Sequence, residues 1–160
     1  MSDIQYRRLS HPDDQAFDQV KSLFSDMYIF MQEHGLLLPL AEHGQEKWIQ
    51  TVKRTVQRFC TVQIAIIGDQ IIGFAHGALS MTPDYLGNKK VGVVTHIYVK
   101  PEYRKQDIAA KLLSELEEWF DEQQVHSIEL QVLVENTRAI EFWKQMGYRK
   151  ELLQFRKLNQ

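Results

Sequence analysis

Apolar residues recur along this chain with two different periods, and the switch between them divides it. Phe17, Val20, Phe24, Met27 and Met31 return every three or four residues, the spacing that lines up one face of a helix. His11-Pro12-Asp13-Asp14 precedes them as a helix start, with proline early and acids in the first turn, and Gly35 follows as a natural stop. Trp48, Ile49, Val52, Val56 and Phe59 predict a second amphipathic helix. The connector between them, Leu36 to Pro39, is apolar and is expected to tuck against the body. Ile4 to Leu9 predicts a short first strand. From Thr61 the β-branched content rises. Thr61 to Ile67 and Ile71 to Met81 predict two strands joined at Gly68-Asp69-Gln70, a hairpin signal.

Thr82 to Lys90 holds Pro83, Gly87 and Asn88 and predicts a loop, and Val91 to Val99 a long strand that Pro101 ends. Helical spacing returns with Ile108, Leu112, Leu116, Trp119 and Phe120. Ser127 to Val134 predicts another strand, Asn136 opens a short helix carrying Ile140 and Trp143 that Gly147 closes, and Tyr148 to Leu158 is expected to complete the sheet. The expected fold class is α/β: a mixed, mostly antiparallel sheet with helices on its faces, distinct from a doubly wound nucleotide fold.

Composition narrows the picture without naming a function. The 160 residues fit one domain, expected to span 1–160. A formal net charge of −2 gives no reason to expect a nucleic acid or a membrane as partner. A lone cysteine, Cys60, excludes an internal disulfide, and the N-terminal segment lacks the apolar core of a signal peptide, so a cytoplasmic location is expected. The six histidines and one cysteine show no metal-ligand spacing, and no metal is expected.

The densest chemistry lies at Val99-Lys-Pro-Glu-Tyr-Arg104-Lys105-Gln106-Asp107-Ile108-Ala109, where a strand runs through a basic loop into a helix start. The first amides of a helix have no partner within it, so such a junction holds anions. Val99, Pro101, Tyr103, Arg104, Ile108, Ala109, Leu112 and Leu113, with a second element at Asn136, Ala139, Phe142-Trp143 and Gly147-Tyr148, resemble the Gcn5-related N-acetyltransferase superfamily. The resemblance runs from about residue 4 to about residue 158. Asp107 departs from it, standing where the family has glycine.

The resemblance implies a fold with two splayed strands, here Val91–Val99 and Ser127–Val134, and acetyl-CoA in the opening as acyl donor. Backbone groups near Ile97, Tyr98 and Val99 would hold its pantetheine arm, and the loop amides of Arg104, Lys105, Gln106, Asp107, Ile108 and Ala109 its pyrophosphate. Asn136 and Trp143 would contact the CoA arm. The implied reaction is direct acetyl transfer to a primary amine of a small molecule or peptide. A catalytically degraded relative, serving as a CoA-binding sensor or an interaction module, is the alternative. The family admits homodimers, a state the residues themselves do not specify.

Several residues carry two readings. Asp107 is either an N-cap bonding the amides of Ala109 or Ala110, or a carboxylate opposing the phosphates. Trp143 is either a core aromatic or a contact to the thiol arm; indole cannot supply a proton as phenol does. His96, titrating in the useful range, is the candidate base that collects the amine proton, or else a structural histidine; His76 is a weaker candidate. Strand alternation places His96 and Tyr98 on one face and Thr95 and Ile97 on the other, unless a bulge intervenes. Asn136 also suits a plain helix cap. Met27, Tyr28, Phe30, Met31 and His34 line an acceptor pocket in this reading, or belong to the core.

Overall fold

The two periods become two kinds of element in a computed structural model, which describes residues 3–159. In chain order these are β1 (Gln5–Leu9), α1 (Ala16–Glu33), α2 (Gly44–Thr55), β2 (Cys60–Ile67), β3 (Gln70–Met81), β4 (Lys90–Val99), α3 (Ile108–Glu122), β5 (Ser127–Leu130) and α4 (Thr137–Gln145). The strands form one sheet in the order β1-β2-β3-β4-β5. Neighbours are antiparallel through β4, and β5 is parallel to β4, as a crossover helix requires.

Each face of the sheet carries its own core. Phe17, Val20 and Phe24 of α1 and Ile49 and Val52 of α2 pack on Leu9, Val62, Ile64, Phe74 and Tyr98. On the other face Leu112, Leu113, Leu116 and Phe120 of α3 and Trp143 of α4 pack on Ala65, Ile72, Ala75, Val94 and Val99. Local chemistry sets the element ends. The Asp14 carboxylate accepts from the Ala16 amide at 2.9 Å and from Arg7 Nη1 at 2.6 Å, starting α1 and tying it to β1. The Arg7 hydrogen bond also pulls that carboxyl below its usual range. The β2–β3 hairpin turns through Gly68 at φ 59°, with Ile67 opposite Gln70.

Phe120 decides how closely α3 approaches. Its ring lies over the backbone of both Gly77 and Gly92, and a Cβ added at Gly92 would stand 2.6 Å from Phe120 Cδ1. Gly92→Ala therefore forces the ring or the helix aside, and is expected to cost about 1–3 kcal/mol, read as a lower urea midpoint.

Four expectations are corrected. The strand expected at Tyr148 to Leu158 does not form: these residues join no ladder, and Leu152, Leu153 and Phe155 are among the most exposed apolar side chains. β5 stops at Leu130 rather than Val134, because its partner strand diverges there. α2 ends at Thr55, where the Val56–Cys60 bridge turns the chain into β2, so Phe59 stands outside it and is exposed. The Leu36–Pro39 connector does not tuck in: Leu37 and Leu38 face solvent, and the next residue along, Leu40, packs on the core. No described helix is long and apolar enough to cross a membrane.

Candidate functional site

Strands β4 and β5 part company halfway. Their pairing runs from Val91↔Ser127 to Val94↔Leu130, and beyond it Thr95 to Val99 continue with no strand neighbour on that side among the described residues. The divergence begins at a bulge. The β3 register steps from His76↔His96 to Gly77↔Val94, which leaves Thr95 as the extra residue and bends the strand.

Backbone parity tells which groups face the opening. The Lys100 amide donates to Ile72 O at 2.9 Å, and Tyr98 opposite Phe74 shares that parity, so both turn toward β3. Ile97 and Val99 accordingly turn their amides and carbonyls toward the gap. The Val99 carbonyl is already engaged, accepting from Arg104 Nε at 2.9 Å.

The gap leads onto the basic loop. After a short 3-10 turn at Pro101–Tyr103, Lys105 and Asp107 both adopt left-handed backbone, at φ 69° and 60°. Such a sequence of turns aims successive amides into one concavity. Among the described residues the amides of Lys105 through Ala110 donate to no protein group, and the first to find a partner is Lys111, bonded to Asp107 O at 3.0 Å. Asp107 sits at the N-cap position of α3, yet its side chain makes no capping bond. The capping reading of Asp107 is thus corrected: at φ 60° the residue lacks the extended backbone from which an N-cap side chain reaches the second and third amides of its helix. The Arg104 guanidinium lies 4.9 Å from the Phe30 ring centroid and 5.3 Å from that of Tyr98, so it packs between β4 and α1.

On the α1/α2 face His96 and His76 stand directly opposite each other, ring centroids 6.0 Å apart. Trp48 meets both rings edge-on at 5.5 Å and stacks on Phe24 at 4.0 Å. Tyr28 lies 6.4 Å from His96. His96 Nδ1 and His76 Nε2 are buried without a hydrogen-bond partner. Burial pushes His96 down to about 4; His76 falls to about 3 through burial and the neighbouring His96. The Thr95 hydroxyl donates to His76 O at 2.9 Å and also meets His76 Nδ1. Since that hydroxyl has only one proton, the ring must donate in the second bond. His76 is therefore the Nδ1–H tautomer, and its bare lone pair is on Nε2. The bulge thus brings the Thr95 hydroxyl to His76, correcting its expected place beside Ile97 on the far face; His96 and Tyr98 share a face as predicted.

The second motif divides. Asn136 caps α4, its side chain accepting from the Ala139 amide at 3.2 Å. Trp143 is buried in the α3 cluster, edge-on to Phe142 and Tyr148 at 5.1 Å each. The Tyr148 hydroxyl donates to Glu117 Oε2 at 3.4 Å; desolvation pushes both groups up. Of the expected pocket residues, Tyr28 reaches His96, Phe30 lies under Arg104, Met27 is core, Met31 packs at its margin, and His34 bonds the Phe30 carbonyl at 2.8 Å. Gly35, at the end of α1, touches the Glu135 side chain, which brings α1 to the loop before α4.

One neighbourhood thus holds Ile97, Tyr98, Val99 and Arg104, and the loop from Lys105 through Ala109 follows directly. Trp48 and Thr95 were missed: helical spacing marks Trp48 only as a core position, and a bulge has no local sequence signal.

A family model described as the acetyltransferase (GNAT) family matches residues 17–148. Among curated proteins, the catalytic subunit of the N-terminal acetyltransferase B complex of Arabidopsis thaliana is 33% identical over 82 residues, 51% of this chain; the match spans only 45% of that relative. Among solved structures, an aminoglycoside N-acetyltransferase in complex with CoA superposes with a TM-score of 0.77 at 15% identity, covering 98% of this chain and 96% of that one. A predicted acetyltransferase from Clostridium acetobutylicum with acetyl-CoA gives a TM-score of 0.77 at 19% identity, with coverages of 98% and 96%. At these identities the likeness is one of fold, while the family match takes in both the split strands and the loop. The chain belongs to the acetyltransferase (GNAT) family.

Proposed function

We propose that this protein transfers the acetyl group of acetyl-CoA directly to a primary amine of a small molecule or peptide. The observation that carries this reading is the continuity between the gap at Thr95–Val99 and the unpartnered amides of Lys105 through Ala110. An extended amide-bearing arm fits the gap, and a pyrophosphate fits the loop at its end. Ile97 through its outward amide and carbonyl, and Val99 through its amide, hold the pantetheine arm; Tyr98 contributes its ring and not its amide. Lys105 supplies charge beside the amides of Gln106, Asp107, Ile108 and Ala109, and Arg104 braces the strand through the Val99 carbonyl. Asn136 fixes the start of α4 alongside the arm. Trp143 keeps its packing role in this scheme.

Acetyl transfer requires the amine to shed a proton and the thiolate to leave. His96 is neutral over the physiological range, and its depressed basicity makes it a poor acceptor from a free ammonium ion. Attack on the thioester makes the amine nitrogen far more acidic, and at that stage an imidazole lone pair can take its proton. The C–N bond forms, the C–S bond breaks, the amine proton passes to His96, and the departing thiolate takes a proton from water. His96→Gln is expected to lower kcat by about a hundredfold while leaving KM for acetyl-CoA unchanged.

The test is steady-state release of free CoA over a panel of polyamines, amino acids, aminoglycosides and peptides with free N-termini. Turnover with at least one amine is expected. Tight CoA binding with every amine inert would replace the enzyme by a CoA-sensing module, a reading favoured by the left-handed aspartate in the loop.

A further inference from the structure

Three buried side-chain atoms among the described residues lack a hydrogen-bond partner: Glu46 Oε2, His76 Nε2 and His96 Nδ1. A buried polar atom left unmet costs free energy, so each calls for a partner. Two of the three belong to the facing rings of β3 and β4. The acid stands apart from them. A carboxylate beside a histidine raises its pKa, yet burial alone acts on His96, and it acts downward. His76 responds to burial and then only to His96. No third ligating side chain joins the two into a metal site among the described residues. What this pair can share is a proton.

The tautomer of one ring dictates that of the other. Thr95 fixes the His76 proton on Nδ1, because the single hydroxyl hydrogen is already given to the His76 carbonyl. His76 Nε2 can therefore only accept. Whatever meets it must donate, and the unsatisfied group on the opposite ring is His96 Nδ1. Which nitrogen of an imidazole carries the proton is set by the bond that the other makes. A proton on Nδ1 leaves Nε2 bare. Nε2 of His96 is not among the sealed atoms, and the residue as a whole is only half-buried, so this nitrogen is the one a substrate can reach.

We propose that His76 is the positioning residue for the base, holding His96 in the Nδ1–H tautomer so that its Nε2 takes the amine proton. The inference rests on the acetyl-transfer reading, in which His96 collects that proton. With ring centroids 6.0 Å apart the two nitrogens make no direct bond, and one water bridges them, accepting from His96 Nδ1 and donating to His76 Nε2. During transfer the Nδ1 proton stays in place. Nε2 gains the amine proton as the C–N bond forms and the C–S bond breaks, and the imidazolium donates through the water to His76. After product leaves, the added proton passes to solvent and both rings are neutral again.

Long-range proton–nitrogen NMR of the imidazoles reads both tautomers on the full chain at neutral pH, without ligand. His76 and His96 are both expected as Nδ1–H. His76→Asn keeps a donor for Thr95 and removes the acceptor. His96 is then expected to shift to Nε2–H, and kcat to fall about tenfold with KM for acetyl-CoA unchanged. His76→Gln returns an acceptor to the Nε2 position, and is expected to restore the Nδ1–H form of His96 and to turn over faster than His76→Asn. A wild type with His96 as Nε2–H overturns the proposal, as does a His96 tautomer that His76→Asn leaves unaltered. The wild-type spectrum decides the matter even if a variant fails to fold. Inertness toward every amine, with both rings as Nδ1–H, would count against acetyl transfer while upholding the link between the two histidines.

Discussion

Asp107→Gly is expected to bind CoA roughly tenfold more tightly than the wild type in a calorimetric titration. A carboxylate about 5 Å from a phosphate charge, at an effective dielectric near 20, costs on the order of 3 kcal/mol. Solvent exposure of Asp107 and the neighbouring Lys105 reduce that cost, and a remainder of about 1.4 kcal/mol is a factor of ten. The left-handed backbone enters differently. Aspartate at φ 60° is strained where glycine is not, but the strain is present with and without ligand, so its relief raises the melting temperature without changing affinity. The two effects separate in one experiment. Equal CoA affinities, with the variant merely more heat-stable, would show that the Asp107 carboxylate turns away from the phosphates.

Mild acid is expected to unfold the protein. An unfolded histidine titrates near 6.5, while His76 and His96 hold folded values of about 3 and about 4. Above about pH 7 both states are neutral at these positions and stability is flat. Below it the unfolded chain takes up two protons that the folded one refuses, and stability falls. By about pH 4 the loss is on the order of 5 kcal/mol, comparable to the whole stability of many domains. Asp14, drawn down by Arg7, contributes a loss of the same sign but only below the usual carboxylate range. Glu117, raised by desolvation, acts in the opposite sense and offsets part of the fall. Urea midpoints measured between about pH 7.5 and pH 4.5 are expected to drop, and His96→Phe is expected to halve the slope. An unchanged slope would mean that these imidazoles are solvated in the folded protein.

What the linear chain disclosed follows from the range of the interactions involved. Helix faces such as Phe17 to Met31, and the strand–loop–helix junction at Val99 to Ala109, are set by residues near in sequence, and they were legible. The Asn136 cap was legible for the same reason. The histidine box was not: it needs β3 and β4 aligned so that His76 faces His96, a bulge that turns Thr95, and α2 folded across to deliver Trp48. The C-terminal segment shows the converse. Its apolar content reads as a strand, yet strands exist only as pairs, and among the described residues this segment has no ladder partner.

In the proposed function, Arg104 gives the cofactor side and the acceptor side a shared support. One guanidinium is bonded to the carbonyl of Val99 and stacked on Phe30 of the first helix. A ligand that reshapes the loop is expected to strain that contact or draw α1 along with it. Loop and helix are thereby linked through one side chain, and the affinity for acetyl-CoA is expected to change when an amine already occupies the acceptor side.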